Sequence, residues 1–192
     1  YTQEWNLVWY DEFNGSTLDA TKWIHDIGSG SQINQLGWGN GELQYYQPQN
    51  TTVSNGTMKI VAENEPEGIV DSWNIPYYYS SSRIKTDTKY DFQFGRAQAK
   101  IKTVNGQGLW PAFWMLPTNG SWPCDGEIDI MEQWGSDGNT TTSTGAVHYG
   151  LCPFSESTHA YNSFHHDILT GSYVDDFHIY EIRWQPGYIA WY

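Results

Sequence analysis

Three acidic residues, Glu127, Asp129 and Glu132, lie within six positions of one another and are separated by apolar residues. In a β-strand, neighbouring side chains point to opposite faces, so Glu127 and Asp129 share one face and the intervening isoleucines face a core. Strict alternation would place Glu132 in that core, where an unpaired carboxylate is costly. A β-bulge at Ile130–Met131 would return Glu132 to the face of the other two acids.

Three carboxylates on one face repel each other, so their arrangement does not stabilise the fold. A catalytic role would explain it. Retaining glycosidases use two carboxyl groups about 5–5.5 Å apart, one as nucleophile and one as general acid/base. A third acid between them couples their titrations and keeps one group protonated. The alternative is a surface strand whose acids face water or bind calcium. The bulged triplet with its alternating isoleucines favours the catalytic interpretation.

Aromatic residues are the second candidate feature, with 11 Trp, 14 Tyr and 7 Phe in the chain. On a strand, Trp110, Ala112 and Trp114 would share one face, and two indoles beside a small residue leave room for a sugar ring. The alternative is that both indoles belong to the core.

Four further polar residues are candidates for substrate binding. Asn40 and Glu42 lie in a glycine-rich loop that offers amides and acids to hydroxyl groups. Arg83 could bind adjacent hydroxyls through its guanidinium group, and His148 follows the acids on a later strand. A plain loop, a surface arginine and a structural histidine are the competing interpretations.

The pattern of the chain predicts an all-β protein, because short alternating runs recur between Gly, Asn, Ser and Pro turns. A single turn is predicted at Asp19–Trp23, and no long segment has a helical period. The predicted strands are Leu7–Phe13, Thr51–Ala62, Ser81–Thr86, Gly95–Thr103, Glu127–Trp134, Thr144–Tyr149, Phe177–Trp184 and Tyr188–Tyr192.

Charge and cysteine usage narrow the class of partner. The net charge of −13 argues against nucleic acid and anionic membranes as partners, and no apolar stretch is long enough to span a bilayer. Cys124 and Cys152 are outside any zinc-ligand pattern, and they could form a disulfide or remain reduced. Five glycosylation sequons favour a secreted protein. These sequons begin at Asn14, Asn50, Asn55, Asn119 and Asn139.

The chain ends at Trp191–Tyr192, within a predicted strand. A strand that stops there leaves an unpaired edge, so we expect a single catalytic domain over 1–192 whose C-terminal strands are missing. A separate C-terminal fragment would complete it.

Several segments together resemble glycoside hydrolase family 16, in its laminarinase (endo-1,3-β-glucanase) branch. The bulged acidic signature Glu127–Glu132 carries most of the resemblance. The other matching segments are Trp9–Phe13, Asn40–Tyr46, Ser82–Ile84, Trp110–Trp114 and Val147–Gly150.

The resemblance implies a β-jelly-roll sandwich of two antiparallel sheets with a concave substrate cleft. It implies Glu127 as nucleophile, Asp129 as its helper and Glu132 as general acid/base. It places Asn40, Arg83, Trp110 and Trp114 in the glycone subsites and His148 near the cleavage point. No cofactor is implied for catalysis. A structural calcium ion would take Glu12 and the Gly56 carbonyl as two ligands.

The expected function is therefore retaining endo-hydrolysis of a β-1,3-glucan such as laminarin. Alternatives on the same fold are a mixed-linkage glucanase, a galactan hydrolase and a glucan transglycosylase. An alternative of another class is a non-catalytic β-glucan-recognition protein, whose relatives typically lose the acids that this chain retains.

Overall fold

The computed structural model describes residues 4–135 and 139–192 and is all-β, as the sequence predicts. The chain divides into two compact units, Tyr1–Asp91 and Phe92–Tyr192. The strands of the first unit are β1 (Ile24–Asp26), β2 (Gln44–Tyr46), β3 (Thr51–Ser54), β4 (Thr57–Ile60), β5 (Glu63–Val70), β6 (Pro76–Ser81) and β7 (Arg83–Lys85). The strands of the second are β8 (Gly95–Ile101), β9 (Ala112–Met115), β10 (Glu127–Glu132), β11 (Thr142–Tyr149), β12 (Ala160–Asp167), β13 (His178–Gln185) and β14 (Tyr188–Trp191).

The N-terminal unit contains short sheets. Strands β1 and β7 pair, β3 and β4 form a hairpin, and a third sheet has the order β2-β6-β5. The pairing of β2 with β6 is parallel, unlike the antiparallel ladders predicted throughout. Asn55 and Gly56 turn the hairpin with φ of 54° and 70°, a conformation that asparagine and glycine tolerate. The predicted strand Thr51–Ala62 is therefore two strands.

Short 3-10 helices complete this unit, at Ser31–Ile33, Leu36–Gly39 and Pro48–Asn50. None of the helices in residues 4–135 and 139–192 is long and apolar enough to cross a membrane.

The C-terminal unit has two sheets around one core. Strands β12-β11-β10-β9 form a four-stranded sheet, and β14-β13-β8 form a three-stranded sheet. The buried residues of the shared core are Ile128, Ile130, Met131, Tyr173, Tyr180 and Ile182. The apolar face of β10 is thus held against β13, which leaves its acidic face on the opposite side of the sheet.

The predicted strand Leu7–Phe13 is wrong, because no strand forms there in the structure. Ring contacts hold the segment instead: Trp9 stacks on Tyr90 and meets Trp23 edge to face, with centroids 5.6 and 5.3 Å apart. Asp11 accepts a hydrogen bond from the indole of Trp23, at 2.9 Å. These partners are distant in sequence, so local alternation could not reveal them.

The other predicted strands are present with shifted ends, and the predicted turn at Asp19–Trp23 is confirmed by backbone hydrogen bonds to the Asp19 carbonyl. Strands β1, β2, β5 and β12, and nearly all of β6, lie outside the predicted strands. In β12 seven of the eight residues are exposed, so no apolar face marks it. The chain divides into two compact units, so the expectation of a single catalytic domain over 1–192 stays a prediction.

Replacing Ile182 by alanine should destabilise the C-terminal unit, because this side chain is fully buried between the two sheets. We expect a loss of about 2–5 kcal/mol in the free energy of unfolding, measured by urea denaturation. Ile179 lies on the same strand but is 57% exposed. Ile179→Ala should change stability by less than about 0.5 kcal/mol. Equal losses in the two variants would contradict the position assigned to the core.

Candidate active site

A β-bulge in β10 brings the three acids to one face. Along β10, the step from Asp129 to Glu132 covers three residues, whereas the partner strand β11 advances only from Ala146 to Thr144. The pairing with β9 shifts between Asp129 and Met131. The extra residue therefore lies at Ile130–Met131, where the sequence predicts it. Both residues of the bulge are buried in the core.

Each outer carboxylate accepts a hydrogen bond from an indole. The Nε1 of Trp122 donates to Oε2 of Glu127 at 2.5 Å, and the Nε1 of Trp110 donates to Oε1 of Glu132 at 2.8 Å. An indole N–H donates only and carries no charge, so it can stabilise a carboxylate without neutralising it.

The pKa values of both outer acids are strongly raised. Burial raises the pKa of Glu127 to about 7, and the charge of Asp129 acts in the same direction. Burial also raises the pKa of Glu132 to about 7, again with the charge of Asp129 as the next cause. The two indole hydrogen bonds and the nearby His148 oppose these shifts. Both groups are therefore poised to exchange protons near neutral pH.

His148 is paired with the central acid. It lies opposite Glu127 across the β10–β11 ladder, and its Nε2 is 3.2 Å from Oδ2 of Asp129. The contact with Asp129 raises the pKa of His148, so the ring favours its charged form beside the acids. This contact is an ion pair rather than an aligned hydrogen bond, and within the described residues Oδ2 of Asp129 has no hydrogen-bond partner. On its other side, Nδ1 of His148 lies 3.0 Å from Nε2 of His159.

The predicted aromatic face is confirmed for β9. Trp114 lies opposite Asp129 and Ala112 lies opposite Glu132, so both share the acidic face. Phe113 and Met115 pack against the core on the other side. Ala112 is exposed, which leaves space between the indole of Trp114 and that of Trp110, the donor to Glu132.

Sequence reasoning missed three residues of this site, namely Trp122, Trp134 and His159. Trp134 stacks on Trp110 with centroids 4.4 Å apart. Its position two residues after Glu132 was a usable signal, because alternation places both on one face. Trp122 and His159 gave no such signal, because each lies outside the strand that carries the acids.

A disulfide joins Cys124 to Cys152, which decides between the two states that the sequence left open. It links the loop that carries Trp122 to the loop that leads into β12.

The candidates of the N-terminal unit form their own cluster. Glu42 accepts hydrogen bonds from Asn40 at 3.1 Å, from Gln44 at 2.6 Å and from the Tyr46 hydroxyl at 2.6 Å. Arg83 places its guanidinium 3.8 Å from the ring centroid of Trp38 and donates to Asp26 at 2.7 Å.

Glu42 and Arg83 are thus each held by several partners. This disfavours the alternatives, in which the loop has no defined contacts and Arg83 is an ordinary surface arginine. Their predicted role in binding substrate, like that of Asn40, stays a prediction.

The calcium prediction rests on Glu12 and Gly56, which do approach each other. The Glu12 carbonyl oxygen lies 4.0 Å from the position that a side chain on Gly56 would occupy. Calcium takes six to eight oxygen ligands. The described residues contain no group of three or more His, Cys, Asp or Glu side chains able to hold a metal. Calcium therefore stays a prediction, and no chemistry is assigned to it.

Comparison with known proteins identifies relatives over nearly the whole chain. Residues 39–192 match the family model described as Glycosyl hydrolases family 16. The glucan endo-1,3-beta-glucosidase A1 of Niallia circulans is 36% identical over 97% of this chain, and the beta-glucanase of Rhodothermus marinus is 39% identical over 98%. The chain spans 28% and 62% of the length of these two relatives.

Solved structures give the same result. The laminarinase catalytic domain of Thermotoga maritima MSB8 matches with a TM-score of 0.86 and 35% identity, over 99% of this chain and 74% of that one.

Replacing Glu132 by glutamine should stabilise the protein at alkaline pH. A carboxyl whose pKa is raised in the folded state favours folding when protonated, and this contribution is lost as pH rises from about 4.5 through about 7. We therefore expect Glu132→Gln to exceed the wild type by about 1–2 kcal/mol in free energy of unfolding at about pH 8, and to equal it at about pH 4. Urea denaturation at both pH values measures this, with the exposed Glu63→Gln as control. A difference that is the same at both pH values would refute the electrostatic origin.

Proposed function

The chain belongs to glycosyl hydrolase family 16, and on that premise we propose that it hydrolyses internal β-1,3 linkages of a laminarin-type glucan with retention of anomeric configuration. One observation carries the proposal. The bulge of β10 returns Glu132 to the face of Glu127 and Asp129, and both outer acids have pKa values raised to about 7. A retaining glycosidase needs one ionised and one protonated carboxyl group at the same pH.

The reaction proceeds by double displacement. Glu127, ionised, attacks the anomeric carbon while Glu132 donates its proton to the departing glycosidic oxygen. Glu132 then accepts a proton from water as the water oxygen attacks the glycosyl-enzyme ester and releases Glu127. The division of roles between the two glutamates follows the family resemblance. The charge of Asp129 raises the pKa of both glutamates, which favours a state in which one of the two is protonated.

His148 supports this arrangement electrostatically. Its ring is stabilised in the charged form by Asp129 and offsets part of the negative charge on the acidic face. The charge of His148 lowers the pKa of both Glu127 and Glu132, so it limits how far burial keeps them protonated.

The substrate class is supported by the aromatic surface beside Glu132. Trp110 and Trp134 stack on each other and are 39% and 47% exposed, so an indole face is open to solvent. Flat apolar rings suit the C–H faces of sugars. Indoles that only filled a core would be covered by other side chains, whereas these two are exposed. The names of the relatives favour a β-1,3-glucan over a galactan.

We propose that the protein acts outside the cell. The disulfide between Cys124 and Cys152 supports this, because disulfides persist in oxidising compartments and are rare in the cytosol. A polymeric glucan is also a substrate that is met outside the cell.

Replacing Glu127 by glutamine should lower the rate of laminarin hydrolysis by roughly 10³-fold or more, because an amide cannot form the glycosyl-enzyme ester. Reducing-end release from laminarin is measured, with mixed-linkage glucan and agarose in parallel. Circular dichroism should show an unchanged fold, and Glu63→Gln should keep full activity.

Retained turnover in Glu127→Gln would overturn the assignment of the nucleophile. Release of reducing ends from agarose but not from laminarin would show that the substrate is a galactan and not a β-1,3-glucan. Tight laminarin binding by the wild type without any release would favour the glucan-recognition alternative. The configuration of the first product, followed by proton NMR, tests retention separately.

A further inference from the structure

Trp122 contacts Glu127, the nucleophile of the proposed function. Its indole N–H donates to Oε2 of Glu127 at 2.5 Å. We propose, resting on that function, that Trp122 is a positioning residue for the nucleophile: it binds one oxygen of Glu127, directs the other oxygen at the sugar, and is held in place by the Cys124–Cys152 disulfide.

The contact with Oε2 has a defined role in each step. When Oε1 of Glu127 forms its bond to the anomeric carbon and the glycosidic C–O bond breaks, Oε2 becomes the carbonyl oxygen of the ester, and the N–H still binds it. When water attacks and the C1–Oε1 bond breaks, the electron pair returns to the carboxylate. A donor already aimed at Oε2 stabilises that returning charge without reorganisation.

The loop of Trp122 is built to hold the indole there. Asp125 accepts a hydrogen bond from the Ser121 amide at 2.8 Å and donates its own amide to the Ser121 carbonyl at 3.0 Å, which closes the turn around the indole. The disulfide then ties Cys124 of this turn to Cys152.

The ring of Trp122 packs on side chains from the far side of that disulfide. Phe154 and His159 lie with ring centroids 5.0 and 4.9 Å from it. The disulfide therefore joins the two loops whose rings meet at Trp122, and cutting it removes the covalent link between them.

The other groups that act on Glu127 are Asp129, from the same strand, and His148, from β11. Asp129 raises the pKa of Glu127, whereas His148 and the indole of Trp122 lower it. Removing only the indole N–H should therefore raise the pKa of Glu127 and move the acidic limb of the pH profile to higher pH.

Trp122→Phe keeps an aromatic ring and removes the N–H donor together with part of the packed ring surface. We expect kcat on laminarin to fall roughly ten- to hundredfold, the loss expected for a hydrogen bond to a charged group, with KM changed less than threefold. The acidic limb of kcat/KM should move upward in pH. Trp73→Phe makes the same change at an exposed indole to which no role is assigned, and it should leave both constants unchanged. A Trp122→Phe enzyme with wild-type kcat and pH profile overturns the proposal.

The disulfide is tested by a double-mutant cycle. Cys124→Ser with Cys152→Ser should lower kcat and shift the acidic limb in the same direction in the wild type, but should add little in the Trp122→Phe background. Additive losses would show that the disulfide acts elsewhere. If the serine variant does not fold, Phe154→Ala tests instead whether packing on the far loop positions Trp122, because it removes a ring from Trp122 without opening the disulfide. Its loss should be small in the Trp122→Phe background, and additive losses would show that this packing does not act through the indole.

A readout without turnover separates this proposal from the proposed function. The indole N–H resonance that disappears in Trp122→Phe should move with pH as Glu127 titrates, and this movement should vanish in Glu127→Gln. If the resonance titrates but the protein hydrolyses no glucan, the contact between Trp122 and Glu127 stands and the proposed function is refuted. An indole resonance that ignores Glu127 would refute the contact even if the enzyme is active.

Discussion

The bulge at Ile130–Met131 is the constraint on which the site depends. A strand without it would send one of the three acids into the core, where β10 packs against β13. One additional residue lets the same strand place apolar side chains on one face and all three carboxylates on the other. The apolar face provides stability and the acidic face provides chemistry. Because both faces belong to six residues, neither can change without disturbing the other.

The acidic face is assembled against an electrostatic penalty. Glu127 and Glu132 are both held beside Asp129 in a partly buried environment, and each has a raised pKa as a result. Two indole N–H groups and His148 relieve part of this penalty without removing it. Neutral donors suit this purpose, because a lysine or arginine at the same position would hold the carboxylates ionised and prevent either from acting as an acid. The aromatic residues around the acids are therefore part of their titration chemistry as well as a surface for sugar rings.

Local pattern was sufficient wherever the controlling physics was local. The alternation of acids and isoleucines in β10 and the cost of burying Glu132 together predicted the bulge, and the structure confirms it. The same alternation predicted that Ala112 and Trp114 share one face, and the structure shows that this face is the acidic one while Phe113 and Met115 pack against the core. Most strand positions followed from the same rule. The all-β class and the family could likewise be predicted from these motifs.

Tertiary structure decided the features that depend on contacts between distant residues. The ring contacts of Trp9 hold a segment that alternation described as a strand, and the exposed strand β12 has no apolar face to reveal it. The aromatic residues around the acids divide in the same way: Trp134, which stacks on Trp110, was within reach of the alternation rule, whereas Trp122 reaches Glu127 from a turn that a disulfide holds. By itself the sequence determined which face of β10 carries the acids, since the side-chain period is local. Only the tertiary structure decided which neighbours tune them, since loop closure and disulfide pairing join residues that no local period connects.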